Sequence, residues 1–422
     1  MSSSASQPQH HGTPQPNDVG QPRDVANSRD SQGQPAPAGP RAKGHRSALL
    51  GAMFLMATSA IGPGFITQTT VFTVQLGAAF AFAILLSILV DIAVQLNVWR
   101  VIGVSGLRAQ ELANSVLPGA GYVLAALVFL GGAVFNIGNI AGTGLGLNAM
   151  LGLDPKIGGA VSVVLAILIF LSKRAGLALD RMVVLLGAVM ILLMLYVAVV
   201  AAPPVGEALK NTVLPEKVDF LVVTTLIGGT VGGYITYSGA HRMIDSGVSG
   251  VENVNAVSRS SVLGILVTCV MRVLLFLAIF GVVAGGVTLA GDNMAAEAFG
   301  AAAGEIGVRI FGAAFTSISF VTSSTGSTRT RNLLTVGFIL VCAVLYLVLG
   351  KAPQTLLVFA GAFNGLILPF GFAILLWVGW RRRDLLHGYR YPVWLLVVGV
   401  LAWLLTVYLA WNSLAGLAKL WA

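Results

Sequence analysis

From about residue 48 onward the chain alternates long apolar runs with short polar or charged connections. Allowing about 20 apolar residues per membrane crossing, eleven segments are predicted, over roughly 48–76, 78–101, 119–150, 156–172, 181–202, 219–244, 260–286, 304–325, 332–350, 354–380 and 392–412. Two of them carry an interruption. Gly62-Pro63-Gly64 lies inside the first and Gly228-Gly229-Thr230-Val231-Gly232-Gly233 inside the sixth. Proline brings no N–H and glycine loosens the backbone, so each interruption leaves peptide groups without helical partners. Lipid cannot satisfy such groups. They are tolerated only against protein or a water-filled cavity, and in transporters paired breaks of this kind mark the binding site.

The two breaks are five segments apart, an odd offset, so the chain passes through them in opposite directions. An all-α integral membrane protein with about eleven transmembrane helices is therefore expected, in a LeuT-type 5+5 inverted repeat with broken helices 1 and 6. Residues 47–202 form the first half, 203–380 the second, and 381–422 carry an additional eleventh helix. Residues 1–46, rich in Gln, Pro, Ser, Asp and Gly with no apolar run, are expected as a disordered tail. That tail has no secretory h-region, and its His10 and His11 read as bystanders.

Composition agrees with the pattern. Over 422 residues 56% are hydrophobic and only 10% charged, with a mean hydropathy of +0.86, too little polar surface for a soluble globule of this size. The net charge of +9 does not signal nucleic acid, because the basic residues concentrate in alternate connections. Arg41, Lys43 and Arg46 precede the first segment. Arg100, Arg108, Lys173, Arg174, Arg181, Arg242, Arg259, Arg329, Arg331, Arg381, Arg382, Arg383 and Arg390 then fall on that same side of an eleven-crossing chain. By the positive-inside rule this side is cytoplasmic. The expected setting is a plasma (inner) membrane, with the N-terminus cytoplasmic and the C-terminus outside. Cys269 and Cys342 lie in apolar segments and read as small hydrophobes.

Candidate binding groups gather at the breaks. Near the first are Gly62, Gly64, Thr67, Gln68 and Thr69; near the second are Gly232, Gly233, Tyr234 and Tyr237. Their amides and hydroxyls suit hydrogen bonding to a carbonyl or carboxylate, or weak coordination of a hard cation. Asp91, deep in the second segment, is a carboxylate at membrane depth and a candidate for ion coupling; a buried structural acid is the alternative. Arg272 is the deep cation and can pair with Asp91 or meet an anionic substrate. His241 lies eight residues past Gly233 and either lines a pathway or packs at the interface. Asn136, Asn139 and Thr143 share a face of the third segment, and Ser319, Thr322 and Ser323 in the eighth offer hydroxyls for a sodium site; interhelical packing accounts for either set equally well.

With these residues in view the chain resembles the NRAMP family of proton-coupled divalent-metal transporters, over about 48–412. The resemblance is carried by the eleven segments, the two breaks, and the stretches Gly62-Pro63-Gly64-Phe65, Gln75-Leu76-Gly77-Ala78 and Leu368-Pro369-Phe370. Typical members carry Asp-Pro-Gly-Asn in the first helix and Met-Pro-His in the sixth, whose Asp, Asn and Met side chains hold the metal. Here Gly62 and Phe65 stand at the Asp and Asn positions, and Gly239-Ala240-His241 retains only the histidine. The resemblance implies a kept scaffold with altered chemistry, and no confident metal ligands. It is similar to a branch encoded beside 5-oxoproline-degrading enzymes, which implies a small organic acid as cargo. The expected function is secondary transport of such a solute, coupled to H+ or Na+, with no other cofactor. A divalent-metal transporter, or a non-transporting receptor on the same scaffold, is the alternative. Enzymatic activity is not expected. The expected partners are the small-molecule or ion substrate and the lipid bilayer, with no nucleic acid.

Overall fold

The computed structural model describes residues 60–171, 173–321 and 329–421. The expected tail and the first part of the first segment lie outside them. Among the described residues the secondary structure is helical. The first half comprises α1 (Pro63–Leu76), α2 (Phe80–Ser105), α3 (Ala109–Val116), α4 (Ala120–Leu151), α5 (Pro155–Leu171) and α6 (Lys173–Val200). There follow α7 (Val205–Val213), the pair α8 (Phe220–Thr230) and α9 (Ile235–Asp245), α10 (Val254–Ala284), α11 (Met294–Val321), α12 (Arg329–Leu349), α13 (Pro353–Arg381) and α14 (Val393–Trp421). Seven helical stretches among the described residues are long and apolar enough to cross a membrane, and the described parts of α5 and α12 are apolar but shorter.

Three helical pieces were not anticipated from the sequence. Helix α3 is amphipathic, burying Ala109, Leu112 and Ala113 at i, i+3 and i+4, and the Glu111 carboxylate accepts the Arg108 N–H at 2.7 Å. Helix α7 leaves α6 at 103°. A helical piece from Met294 precedes the predicted start of the eighth span at 304, where Gly304, with φ 65 and ψ −163, breaks the helical geometry inside α11. A membrane-length hydropathy window cannot register short or kinked amphipathic pieces. Conversely, Pro369 leaves α13 continuous from Pro353 to Arg381.

The basic connections that are described gather at one end of the bundle. There the Gly250 N–H donates to Gly103 O at 2.8 Å, Arg108 pairs with Asp245 at 2.7 Å, and Arg382 donates to Ser115 O. Arg382 also bonds Asp384, which holds that carboxyl below its ordinary value. Nearby, Tyr391 donates to Asn97 Oδ1 at 2.7 Å, and burial raises the Tyr391 phenol above its usual range. At the opposite end Asn293 reaches Leu145 O at 3.1 Å and Gln354 reaches Gly291 O at 2.9 Å.

Helices α1 and α8 lie antiparallel. Gln75, at the far end of α1, donates to Asp219, the N-cap of α8, at 3.3 Å, while Lys217 donates to Gln75 O at 2.8 Å. Seven residues earlier on α1, Gln68 faces Gly229 near the end of α8. One helix thus leaves its break and the other arrives at its own, as inverted halves require. The largest apolar cluster joins α2, α8, α9, α10 and α13, and a second joins α1, α4, α6, α10 and α11.

Candidate functional site

The first break is an extended residue followed by a helix start. Gly62 has φ −96 and ψ −174, and Pro63 opens α1 at a position where a missing N–H costs nothing. The second break spans Val231 to Tyr234. Val231 and Gly232 both donate to Ile227 O, at 2.9 and 3.1 Å, Ile235 donates to Gly232 O at 3.2 Å, and Ser238 to Tyr234 O at 2.8 Å. The carbonyls of Gly228, Gly229, Thr230 and Val231, and the N–H groups of Gly233, Tyr234, Thr236 and Tyr237, take no part in those bonds. Gly233 has φ 54, a conformation that disfavours any residue with a Cβ.

Two amides from other helices reach into this region. Gln68 on α1 donates to Leu357 O on α13 at 2.8 Å, and its buried Oε1 has no partner. A methyl group on Gly229 would sit 2.8 Å from that oxygen. Asn364 on α13 donates to Gly131 O on α4 at 3.2 Å and to Ala360 O at 2.8 Å, leaving its buried Oδ1 unpaired beside Gly233. Gly228 lies so close to Gly361 and Gly365 on α13 that no side chain fits between them. The glycines here make room for polar side chains and for backbone. The buried Asn364 acceptor next to the second break depends on α13 crossing α8.

Asp91 and Arg272 are 1% and 2% exposed, in α2 and α10. Asp91 lies within electrostatic reach of Arg272 and close to Thr230 at the end of α8, whose hydroxyl donates to Leu226 O at 2.8 Å. Asp91 and Arg272 form no contact ion pair; those among the described residues are Arg108–Asp245, Arg309–Glu305 and Arg382–Asp384. Asp91 Oδ1 and Arg272 Nε and Nη2 are buried without partners, and the guanidinium lies 4.5 Å above the Phe65 ring on the first turn of α1. The buried charges therefore lie near both breaks. One turn along α2, Gln95 accepts from Thr236 Oγ1 at 3.1 Å, and Trp99 donates to Thr236 O at 3.1 Å. The sequence analysis missed Gln95 and Trp99, although their i+4 and i+8 spacing from Asp91 puts all three on one face.

The other candidates are dispersed. Thr69 donates to Phe65 O at 2.7 Å within α1, and Thr67 is buried. Tyr234 packs edge-on against Phe135, whereas Tyr237 is buried with its hydroxyl unpaired beside Gly371. His241 Nε2 accepts the Ala109 N–H at 3.1 Å at the start of α3, well down α9 from the break. Asn136 on α4 has its amide nitrogen buried without a partner, the Cys342 thiol on α12 donates to Ala133 O at 3.8 Å, and Asn139 is buried on the same helix as Asn136. Ser319 lies on α11 with its side chain outside the described residues, as are Thr322 and Ser323 entirely. Among the described residues no group of three or more His, Cys, Asp and Glu side chains is placed to hold a metal.

Two antiparallel interrupted helices, with polar groups from a third and fourth helix converging on the breaks, define the class: a membrane transporter of LeuT-type fold. Solved structures agree. A variant of the Eremococcus coleocola manganese transporter aligns over 90% of this chain and 89% of its own, with 16% identity and a TM-score of 0.65. MhsT in complex with L-phenylalanine aligns over 86% and 98%, with 18% identity and a TM-score of 0.59. At these identities the likeness is one of fold. The family follows from sequence: the profile of the natural resistance-associated macrophage protein-like family, NRAMP, matches residues 53–416. The chain belongs to this family. It is 49% identical over 372 residues to the Bacillus subtilis membrane protein YcsG, covering 85% of this chain and 92% of YcsG. It is 48% identical over 379 residues to a Haemophilus influenzae membrane protein, covering 86% and 94%. Family and fold are those of transporters and not of enzymes.

Proposed function

We propose that the protein is a secondary active transporter that alternates access around the two breaks and carries a small organic acid of the 5-oxoproline type, coupled to protons or sodium. The observation that supports this most is the donor set. Helices α1 and α9 both begin at the breaks. Their first turns bring unpaired N–H groups and the positive end of the helix dipole to the breaks, and the α9 groups include Thr236 and Tyr237. A carboxylate is the group such ends receive best. The unpaired oxygens of Gln68 and Asn364 can accept from a lactam N–H. By the charge asymmetry of its ends the protein sits in the plasma membrane with the basic connections in the cytoplasm.

The test is thermal stabilisation of the purified full-length protein with manganese, magnesium, 5-oxoproline, proline or glutamate, each with and without sodium. A ligand that prefers the folded state raises the melting temperature by mass action. Stabilisation by 5-oxoproline, lost in Gln68→Ala, is expected; stabilisation by the metals alone overturns the reading. A second reading has an observation of its own. Gln68 Oε1, Asn364 Oδ1 and the free carbonyls of Gly228 to Val231 form an all-oxygen set, which suits a hard divalent cation better than a thiophilic one.

A further inference from the structure

Beyond the groups that receive the cargo stand a tryptophan-lined groove between α13 and α14, the His241–Ala109 contact, and the Asp91–Arg272 pair. The groove has nothing to say what covers it, and the histidine contact is a helix-start bond. The pair is different. An acid and a base, each at most 2% exposed, lie within electrostatic reach of one another without a contact ion pair and keep unpaired atoms: Oδ1 on Asp91, Nε and Nη2 on Arg272. Leaving charge and hydrogen-bonding capacity unused at such depth costs several kcal/mol unless another state uses it.

The geometry says which state. The guanidinium lies over Phe65, two residues past Pro63 at the α1 start, so its free edge is within reach of an anion held by that helix end. Asp91 lies near Thr230, the last residue of α8 before the second break. The titratable groups around Asp91 are few: Arg272 on α10 acts on it, and Asp91 in turn acts on Arg272 and Cys269. Helices α8 and α1 carry only uncharged residues; Tyr234 stands in the second break, and α9 holds Tyr237 and, toward its far end, His241, Arg242 and Asp245.

Building on the carboxylate-cargo reading, we propose that the cargo's carboxylate and Asp91 compete for Arg272, and that this competition couples transport to one proton. When the cargo carboxylate takes Nε and Nη2 in a bidentate bond, Asp91 loses its counter-charge and binds a proton from water. The carboxylate brings one negative charge and the proton one positive charge, so loading leaves the net charge of the site unchanged. Release reverses both steps. Arg272 is then a substrate-binding residue, and Asp91 the proton carrier.

The experiment is titration calorimetry of the full-length protein in nanodiscs with L-5-oxoproline at pH 7.5, in two buffers of different ionisation enthalpy. The expected result is uptake of about one proton per carboxylate bound, with 2-pyrrolidinone, which lacks the carboxylate, causing none. Asp91→Asn, with no proton to gain and no charge to compete, binds roughly tenfold tighter with equal heats in both buffers; Arg272→Gln loses 5-oxoproline binding. Binding of 5-oxoproline to the unmodified protein without proton uptake overturns the competition and leaves the carboxylate reading standing. No 5-oxoproline binding in protein that does bind manganese overturns both. Because the proton count is read on the unmodified protein, misfolded variants do not shield the proposal.

Discussion

Replacing Gly233 by alanine probes the second break directly. Gly233 has φ 54, and an alanine held in this left-handed region costs roughly 1–2 kcal/mol. The new methyl also overlaps the Asn364 amide, lying 2.5 Å from its Cγ and 3.1 Å from its Cβ, so Asn364 must swing away. It then gives up its bonds to Gly131 O and Ala360 O. Interhelical hydrogen bonds within membranes average about 0.6 kcal/mol and reach about 1.7; with the bond to Gly131 O on α4 on that scale and the bond back to Ala360 O within α13 of similar size, losing the pair costs about 1–3 kcal/mol. Gly233→Ala is therefore expected to destabilise by roughly 2–5 kcal/mol. Asn364→Ala gives up the same two bonds and costs about 1–3 kcal/mol on its own. In the double variant the overlap with the amide is gone, only the 3.1 Å approach to Cβ remaining, and those bonds are counted once, so it should be hardly worse than Gly233→Ala, with a coupling of about 1–3 kcal/mol. Unfolding of the four proteins in one detergent, followed by tryptophan fluorescence, reads this cycle. Additive costs, to within about 0.5 kcal/mol, would refute the placement of Asn364 against the break.

Other consequences can be checked in parallel. Gly361→Leu forces a side chain against the Gln68 amide and Thr225 O; it should abolish cargo uptake into proteoliposomes, and full retention of uptake would contradict the close approach of α13 to the breaks. Tyr391→Phe removes the bond to Asn97 and should lower stability by about 1 kcal/mol, whereas Tyr122→Phe, on an exposed side chain, should change it little by the same unfolding assay. Bonding to Arg382 depresses the Asp384 carboxyl, so its contribution is present above the ordinary value of 3.8 and fades as pH falls through the lower folded value. A melting-temperature difference between the unmodified protein and Asp384→Asn should accordingly be small at pH 7 and vanish in acid; a difference that grows in acid would reverse the sign of that interaction.

Much of the architecture was legible in the order of residues because bilayer thickness ties hydrophobic run length to crossing number. Gly62-Pro63-Gly64 and Gly228 to Gly233 announced their breaks by chemistry alone, since no continuous helix accommodates them at that depth. The same logic did not reach α3, α7 or the first turns of α11, whose short amphipathic faces have no membrane-length signal. Nor could sequence tell what the glycines face. Gly229, Gly233 and Gly371 were chosen for the Gln68, Asn364 and Tyr237 side chains that abut them, contacts between residues up to 161 positions apart in the case of Gly229 and Gln68. Sequence determined that the protein crosses the membrane many times and breaks its helices twice, because local polarity and backbone chemistry suffice for that. Only the tertiary structure decided that Asp91 and Arg272 are buried within electrostatic reach of one another near the breaks with unpaired atoms, because that depends on how α2 and α10 pack around α1 and α8.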